Sequence, residues 1–329
     1  MSLYTFFSDI MTNRHLQFLK KFKAYQVIKN LLRPDQLPNI DDIIQKRTQA
    51  CIDKTISASA RIKYETIARS KKEFQDFCNQ ISHITNRDNI LDTIVKTGFD
   101  CHYTYRGYCQ VCQKDTFFDI SLPWTTSAEG VACPQCMLSS RMRLVFEIVL
   151  RYYKKDMAVY VSEQTTSFYS QLKKHIPNLI GSEFLPLEQR GGEIRHEDAT
   201  NLSFANESID LYISNDVLEH VHDYKKAFYE AYRVLKYRGK FIFHIPFYFL
   251  DKTDLRAIVD DHGEIIFIKD PIYHGNPLSP KGSLVFTDFG WDLFDFIKTI
   301  NPKDFYIYMT NDIQSGYLHT TSFCFIMEK

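Results

Sequence analysis

The chain has 329 residues, 44% of them hydrophobic and 24% charged, a mix typical of globular proteins that excludes a fibrous or wholly disordered chain. Lysine plus arginine and aspartate plus glutamate each number 40, so no net charge would steer a polyanion, which counts against a dedicated nucleic-acid binder. No stretch approaches the roughly 20 apolar residues of a membrane span, and the first residues lack a secretory signal pattern, so we expect a cytoplasmic protein with reduced cysteines.

The first hundred residues are predicted to form a helical region. Phenylalanine and leucine recur at helical spacing over residues 1–33, and Pro34 ends the pattern. Over residues 61–84, Phe74 and Ile81 share one face and charged residues occupy the other, which predicts an amphipathic helix. Lysine pairs in both segments favour a solvated helix face over a contact with membrane or RNA.

Two C-x-x-C pairs separated by twenty residues form the strongest local motif. Each pair lets two thiolates point into one tetrahedron, the arrangement expected of a closed four-cysteine zinc site, which is structural in most proteins. A redox pair or four unrelated buried thiols are the alternatives, and two matched pairs in one short segment disfavour both. The predicted zinc ligands are Cys109, Cys112, Cys133 and Cys136.

A helix is predicted from Ser140 to about Tyr153, and the first strand of a parallel sheet over Met157–Ser162. The loop that follows reads Glu163-Gln164-Thr165-Thr166-Ser167. Its threonines can cap the next helix, and free amides at a helix start favour an anion such as a carboxylate.

A second short strand is predicted to end at Glu183, twenty residues beyond Glu163. An acid at this distance is where a carboxylate would hold a ribose diol in a nucleotide-binding sheet. A plain surface acid is the alternative.

Residues 194–246 predict a complete βαβ unit. Asp210–Ser214 is an apolar run, a helix-period segment follows through Leu235, and Lys240–Pro246 is a second apolar run. Such units imply a parallel sheet with right-handed crossovers, in which ligands lie beyond the carboxyl ends of the strands. Those ends carry Asn215, Asp216 and His244.

Ordered motifs across this unit resemble the second half of a class I S-adenosylmethionine-dependent methyltransferase. They are Asp198-Ala199, Leu202-Ser203-Phe204, Asp216-Val217-Leu218-Glu219-His220 and Arg233-Val234-Leu235-Lys236. The resemblance implies an α/β, Rossmann-like sheet of seven strands with an antiparallel last pair. It also implies that the acid at Asp198 faces the adenine of S-adenosylmethionine, although a turn or cap acid is the alternative there.

The residues that this resemblance assigns to the cofactor are Glu163, Gln164, Thr165, Glu183, Asp198, Ala199, Asn215 and Asp216. The family usually has a glycine-rich loop after its first strand, because only glycine lets the backbone approach the cofactor closely. Residues 163–167 lack glycine, so a methyltransferase fold that has lost its cofactor is the alternative.

The run from Cys109 to about Trp291 also resembles a narrower group, the bacterial methyltransferase-domain proteins with a zinc knuckle. That group is often found among enzymes that modify glycans or secondary metabolites, and its first loop is likewise not glycine-rich. It also has segments similar to Tyr273-His274-Gly275-Asn276-Pro277.

Residues 251–290 are predicted to be an insertion after the fifth strand, with a hairpin around Asp260–Gly263. Tyr273 and His274 are predicted to line the acceptor site, with a plain surface loop as an equal alternative. A helix over 288–300 and two strands, at 305–309 and 322–327, are predicted to complete the sheet. The predicted domains are a helical region at 1–100, a zinc knuckle at 101–140 and a methyltransferase domain at 141–329.

Transfer of a methyl group to a hydroxyl or amine requires a group that removes a proton, and histidine titrates near neutrality. His220 and His244 are the candidate catalytic bases, and hydrogen-bonded structural histidines are the alternative. We predict methyl transfer from S-adenosylmethionine to a small-molecule or glycan acceptor, with a structural Zn²⁺. An RNA methyltransferase whose knuckle docks the nucleic acid, and a non-catalytic scaffold, are the competing hypotheses.

Overall fold

The computed structural model of the chain describes residues 63–84, 103–120, 131–317 and 322–329. The helices predicted before residue 61 lie outside the described residues. Within the described ranges, no helix has both the length and the apolar character that crossing a membrane requires.

The described elements are, in chain order, β1 (Lys63–Ala68), α1 (Lys71–Ile84), β2 (Tyr103–Cys109), β3 (Lys114–Ile120), β4 (Val131–Ala132), α2 (Ser140–Tyr152), β5 (Val159–Val161), α3 (Ser167–His175), β6 (Ile180–Gly181), β7 (Ile209–Asn215), α4 (Tyr224–Val234), β8 (Leu235–His244), β9 (Phe247–Leu250), β10 (Asp254–Leu255), β11 (Ala257–Val259), β12 (Ile265–Phe267), β13 (Tyr273–Asn276), β14 (Ser279–Leu284), β15 (Thr287–Gly290), α5 (Asp292–Ile300), β16 (Asp304–Asp312) and β17 (Phe323–Glu328). Two 3-10 turns cover Leu187–Gln189 and Leu218–His220.

Seven strands form the central sheet in the order β1-β16-β17-β8-β7-β5-β6. β6, β5, β7 and β8 are mutually parallel, whereas β17 runs antiparallel to both β8 and β16. The α/β, Rossmann-like fold class is therefore confirmed, including the antiparallel pair formed by the last two strands.

The sheet is apolar on both faces because helices cover both of them. Val159 and Val161 of β5 belong to one buried cluster with α2 and α3, while Tyr160 between them belongs to the opposite cluster with α4 and α5. β7 alternates in the same way, with Ile213 on the first face and Tyr212 on the second. This alternation explains why the strands read as nearly continuous apolar runs in the sequence.

The single helix predicted over 61–84 is wrong in its first part, because Lys63–Ala68 is the edge strand β1, paired antiparallel with β16. In β1 the side chains of Tyr64, Thr66 and Ala68 turn inward while the residues between them stay exposed. That two-residue alternation suits a strand. The helix itself starts after Ser70, whose hydroxyl accepts a hydrogen bond from the Glu73 amide at 3.2 Å.

The insertion consists of small sheets rather than loops. β11 and β12 form the predicted hairpin, and Asp260 closes its turn by accepting hydrogen bonds from the amides of His262 and Glu264. The predicted loop at 273–277 is largely strand β13, paired with β14. The helix predicted from residue 288 begins at Asp292, because Thr287–Gly290 is strand β15, which lies between β9 and β10.

Candidate functional site

The carboxyl ends of four neighbouring parallel strands meet at one edge of the sheet, as the sequence predicts. We call this edge the acidic rim and define it by Glu163 after β5, Glu183 after β6, Asn215 and Asp216 at β7, and His244 at β8. Hydrogen bonds join Asn215 to Glu163 and His244 to Asp216, and Glu183 accepts from the loop that follows Glu163. The structure therefore brings five of the predicted site residues to one edge.

Glu163 is buried at the centre of the acidic rim. Its Oε1 accepts a hydrogen bond from Asn215 Nδ2 at 2.7 Å, and its Oε2 accepts one from the Thr166 hydroxyl. Burial raises the pKa of Glu163 to about 7, because the two hydrogen bonds offset only part of the cost of a buried charge. A cation placed beside this carboxylate would be favoured.

Glu183 holds the glycine-free first loop in place. Its Oε1 accepts from the amides of Gln164 and Thr165 at 2.8 and 2.9 Å, and from the Thr165 hydroxyl at 2.7 Å. Thr166 caps α3 by accepting from the Tyr169 amide at 3.2 Å. Specific hydrogen bonds therefore shape the loop that glycine shapes in the resembling family.

Gly181 allows β6 to lie close to this loop. A Cβ at this position would lie 2.8 Å from the Glu163 carbonyl oxygen and 2.5 Å from the Tyr169 ring. The small residue is thus required by packing against the first loop, although the loop itself has no glycine.

Asp198 lies farther along the chain, in a tight turn. Its Oδ1 accepts hydrogen bonds from the Thr200 amide and hydroxyl, both at 2.8 Å. These hydrogen bonds are those of a turn acid, the alternative role of Asp198. Its contact with adenine stays a prediction. Ala199 is partly buried against the apolar cluster beneath.

Asp216 is the acid of the rim that contacts both an arginine and a histidine. It adopts a left-handed conformation with φ of 49°, forms an ion pair with Arg141, and its Oδ1 lies 2.8 Å from His244 Nδ1. Burial alone would raise the pKa of Asp216, but the charge of Arg141 and the contact with His244 lower it to about 2. His244 is thus a hydrogen-bonded neighbour of a carboxylate.

Sequence reasoning missed Arg141, which α2 carries to the rim from its first turn. Nothing in the spacing of Ser140-Arg141 indicates that the start of this helix faces Asp216. The contact depends on how α2 packs over the sheet.

His220, the other candidate base, lies beyond the rim on the 3-10 turn after β7. Its Nδ1 lies 2.8 Å from the Leu284 carbonyl oxygen, and burial lowers the pKa of His220. His274, predicted to line the acceptor site, stands against it with ring centroids 5.1 Å apart. Glu219 lies between the two histidines, and burial raises its pKa to about 7. The sequence pattern around Glu219 does not by itself indicate a role for this acid. Tyr273 does not contact these residues in the same way, and Lys281 Nζ lies 4.9 Å from the centroid of its ring.

The four cysteines of the predicted knuckle converge. Sγ of Cys109 lies 3.8 Å from that of Cys136, the Cys112 and Cys133 sulfurs are also 3.8 Å apart, and all four lie within 4.8 Å of one another. Four sulfurs held about 2.3 Å from one zinc ion in a tetrahedron are separated by about 3.8 Å. The donor set and its spacing fit a closed zinc site.

Arg143 joins this knuckle to the rest of the fold. The fully buried guanidinium donates from Nη1 to the carbonyls of Val131 and Leu138, both at 3.0 Å, and from Nη2 to those of Ser315 and Gly316 at 3.2 and 3.3 Å. It also lies 4.3 Å from the Phe118 ring centroid. Buried hydrogen bonds from Arg143 therefore join the knuckle to the turn that follows β16 of the sheet.

A groove of about 390 Å³ lies elsewhere, lined by α1 together with Phe249 and Trp291. None of the acidic-rim residues lines it. Its walls offer few convergent charges, whereas the rim gathers several, so we place the candidate site at the rim.

A family model described as "Methyltransferase domain" matches residues 151–243. The matched segment runs from the end of α2 to β8 and contains the rim residues from Glu163 to Asp216. A comparison with curated proteins finds no match.

Several solved structures resemble the chain distantly. An S-adenosylmethionine-dependent methyltransferase from Mesorhizobium loti is 11% identical, with 56% of this chain and 98% of that chain covered and a TM-score of 0.36. A Thermotoga maritima methyltransferase, described as a possible histamine N-methyltransferase, is 17% identical, with 57% and 88% covered and a TM-score of 0.34. The 1,6-didemethyltoxoflavin-N1-methyltransferase of Burkholderia thailandensis is 14% identical, with 57% and 78% covered and a TM-score of 0.35. These TM-scores are too low to assign a shared substrate.

Proposed function

We propose that this enzyme, whose residues 151–243 form a methyltransferase domain, transfers methyl groups from S-adenosylmethionine to a small-molecule or glycan acceptor. The observation that carries the proposal is the acidic rim at the carboxyl ends of β5, β6, β7 and β8, whose residues from Glu163 to Asp216 lie inside the matched segment. When bound, S-adenosylmethionine supplies a methyl group on a positively charged sulfur.

The chemistry of the rim fits such a ligand. S-adenosylmethionine carries two positive groups, the ammonium and the sulfonium, and either one, placed beside the buried Glu163 carboxylate, would stabilise its charged form. The buried Oδ1 of Asn215 has no hydrogen-bond partner within the described ranges, so it can accept from a ligand donor. The amides at the start of α3 favour the methionine carboxylate.

Each predicted residue then has a role in the proposal. Glu163 and Asn215 hold the amino acid end, Glu183 orients the Gln164–Thr165 loop and reaches the ribose, and Asp198 with Ala199 borders the adenine. Asp216 and His244 close the rim beside the methyl group. Tyr273 and His274 approach from the insertion on the acceptor side, with His220 or His244 as the candidate base.

We also propose that the knuckle holds a structural Zn²⁺ through Cys109, Cys112, Cys133 and Cys136. Four thiolates fill the tetrahedron and leave no open position for a substrate. In this assignment the metal stabilises the fold and takes no part in the reaction.

Isothermal titration with S-adenosylmethionine and S-adenosylhomocysteine tests the proposed cofactor. We expect both ligands to bind. Glu163→Gln should lower the affinity for S-adenosylmethionine about tenfold or more, since a charge-assisted hydrogen bond contributes about 1.5–3 kcal/mol. Glu188→Gln, an exposed acid on the 3-10 turn after β6, is the matched control and should bind as the wild type does. If neither ligand binds at millimolar concentration, the chain is a non-catalytic scaffold.

A further inference from the structure

Three metal-ligating side chains converge outside the acidic rim, and the proposed cofactor site does not use them together. Glu219 Oε1 lies 3.6 Å from His220 Nε2 and 3.6 Å from His274 Nδ1. The ligand atoms of all three residues lie within 4.8 Å of one another. We call these three residues the Glu-His-His cluster.

The separations suit a metal ion of the first transition row. Nitrogen and oxygen ligands about 2.1 Å from such an ion, at a tetrahedral angle, are about 3.4 Å apart. The two separations of 3.6 Å need only a small inward movement to reach this value.

The hydrogen bond at His220 selects the tautomer that a metal ligand needs. Its Nδ1 lies 2.8 Å from the Leu284 carbonyl oxygen, which can only accept, so Nδ1 carries the proton. The lone pair of Nε2 is then directed to the Glu-His-His cluster. Metal-bound histidines are typically held in this way, with the second ring nitrogen donating to a carbonyl or carboxylate.

The Glu219 carboxylate gives the second, independent observation. The residue is 1% exposed, and neither carboxylate oxygen has a hydrogen-bond partner among residues that the structure describes. Burying an ionised carboxylate without a partner costs several kcal/mol. A cation coordinated by this carboxylate would remove that cost.

Two separate elements build the Glu-His-His cluster. Glu219 and His220 lie on the 3-10 turn that follows β7, while β13 carries His274. The Phe286 amide donates to the Glu219 carbonyl at 2.8 Å and anchors the end of the hairpin to the turn. At Gly282, where φ is 82°, a Cβ would lie 2.2 Å from the His274 carbonyl oxygen, so glycine is required to bring β13 and β14 together.

The nearby charges are compatible with a bound cation. Arg141 is the neighbouring positive side chain, and its ion pair with Asp216 offsets its charge. Asp216 adds a negative field at the same edge, since both His220 and His274 feel its charge.

We propose that Glu219, His220 and His274 bind one divalent transition-metal ion, Mn²⁺, Fe²⁺ or Zn²⁺, with coordination positions left open toward the acceptor side. Imidazole and carboxylate ligands suit these ions, and three protein ligands with open positions are typical of reactive rather than structural metal sites.

A consequence for the reaction rests on the proposed function. An acceptor hydroxyl bound at an open position becomes more acidic and releases its proton to water. The resulting oxyanion attacks the methyl carbon, the new O–C bond forms as the C–S bond breaks, and the electron pair stays on sulfur as a neutral thioether. The acceptor class is then a hydroxyl compound.

Binding of Mn²⁺ to the full chain, with zinc already in the knuckle, tests the site. Mn²⁺ prefers oxygen and nitrogen ligands to thiolates, so its electron paramagnetic resonance signal separates this site from the knuckle. We expect one saturable site whose affinity falls at least tenfold in Glu219→Gln and in His274→Ala. His222→Ala, an exposed histidine two residues from His220, is the matched control and should bind as the wild type does.

The proposal is overturned if the wild type fails to bind Mn²⁺ and Zn²⁺ beyond the knuckle, or if both variants bind as tightly as it does. Thermal unfolding of each variant identifies any that has failed to fold, and Gly282→Ala, which displaces His274 while keeping all three ligands, should then also weaken binding. S-adenosylmethionine titration on the same samples separates the two proposals, because metal binding without cofactor binding contradicts the proposed function alone.

Discussion

Single residues at the acidic rim show how burial sets their chemistry. Asp216 and Glu163 lie at the ends of adjacent strands, yet the pKa of Asp216 is lowered to about 2 while that of Glu163 is raised to about 7. The difference is the neighbour: Asp216 is paired with Arg141, whereas the donors that contact Glu163 among the described residues are the neutral Asn215 amide and Thr166 hydroxyl. Glu163 therefore carries an unmatched charge that a cationic ligand can match.

The raised pKa of the buried Glu163 carboxylate predicts how the free energy of unfolding depends on pH. Because the pKa of Glu163 is raised from 4.5 to about 7 by burial, the native state binds more protons than the unfolded state between these values. Its contribution therefore lowers stability as pH rises from about 4.5 to 7, by up to about 3 kcal/mol.

In the absence of ligand, Glu163→Gln should flatten this part of the stability profile and be more stable than the wild type at pH 8. Urea unfolding at several pH values, with Glu188→Gln as the exposed control, measures the effect. Parallel profiles for wild type and Glu163→Gln would contradict the assigned pKa.

At the same scale, the sequence indicates which residues lie at the acidic rim better than it indicates which side chains contact one another there. Glu163, Glu183 and Asn215 could be found because each follows an apolar run by a fixed distance, and parallel strands place their carboxyl ends at one edge. Arg141 could not be found, since its contact with Asp216 depends on how α2 packs over the sheet. Glu219 stood in the Asp216–His220 motif, but its proximity to His274 depends on the fold of the insertion.

At the scale of elements, the sequence contains a signal for the start of α1 that the predicted helix over 61–84 did not use. Ser70 and Glu73 form a capping pattern, in which the Ser70 hydroxyl accepts from the Glu73 amide and the Glu73 carboxylate accepts from the Arg69 amide at 2.8 Å. That pattern separates β1 from α1. The pairing of β1 with β16 was not predictable from sequence, because the partner strand lies more than two hundred residues away.

Arg143 predicts how strongly the knuckle is held. Arg143→Met keeps most of the volume but removes the donor that the guanidinium supplies to four carbonyls, of which that of Leu138 still accepts from the Cys133 amide. Since an unsatisfied buried polar group costs about 1–3 kcal/mol, we expect a loss of about 3–5 kcal/mol after partial relaxation.

Chemical denaturation measures this loss. Arg106→Met is the matched control, because Arg106 lies on the knuckle strand β2 with 73% of its side chain exposed, and its pair with Asp115 should contribute less than about 1 kcal/mol. Equal effects of the two substitutions would show that Arg143 does not hold the knuckle to the sheet.

At the scale of the whole molecule, the knuckle and the sheet share one apolar core. Cys109, Cys133 and Cys136 belong to the same buried cluster as Ile242 of β8 and Ile326 of β17. A unit packed in this way unfolds together with the sheet, so the metal proposed for the knuckle should stabilise the whole α/β fold.

Cys112→Ser tests this coupling with the least disturbance to packing, because Cys112 is only partly buried whereas the other three cysteines of the site are buried. We expect bound zinc, measured by mass spectrometry of the purified protein, to fall by one ion per chain. The midpoint of thermal unfolding should fall by about 5–10 °C in a single transition, as expected for a loss of a few kcal/mol in a domain of this size. Cys78→Ser removes a thiol outside the knuckle and should keep both the zinc and the midpoint. Two separate transitions in Cys112→Ser, with the later one unchanged, would mean that the knuckle folds independently of the sheet.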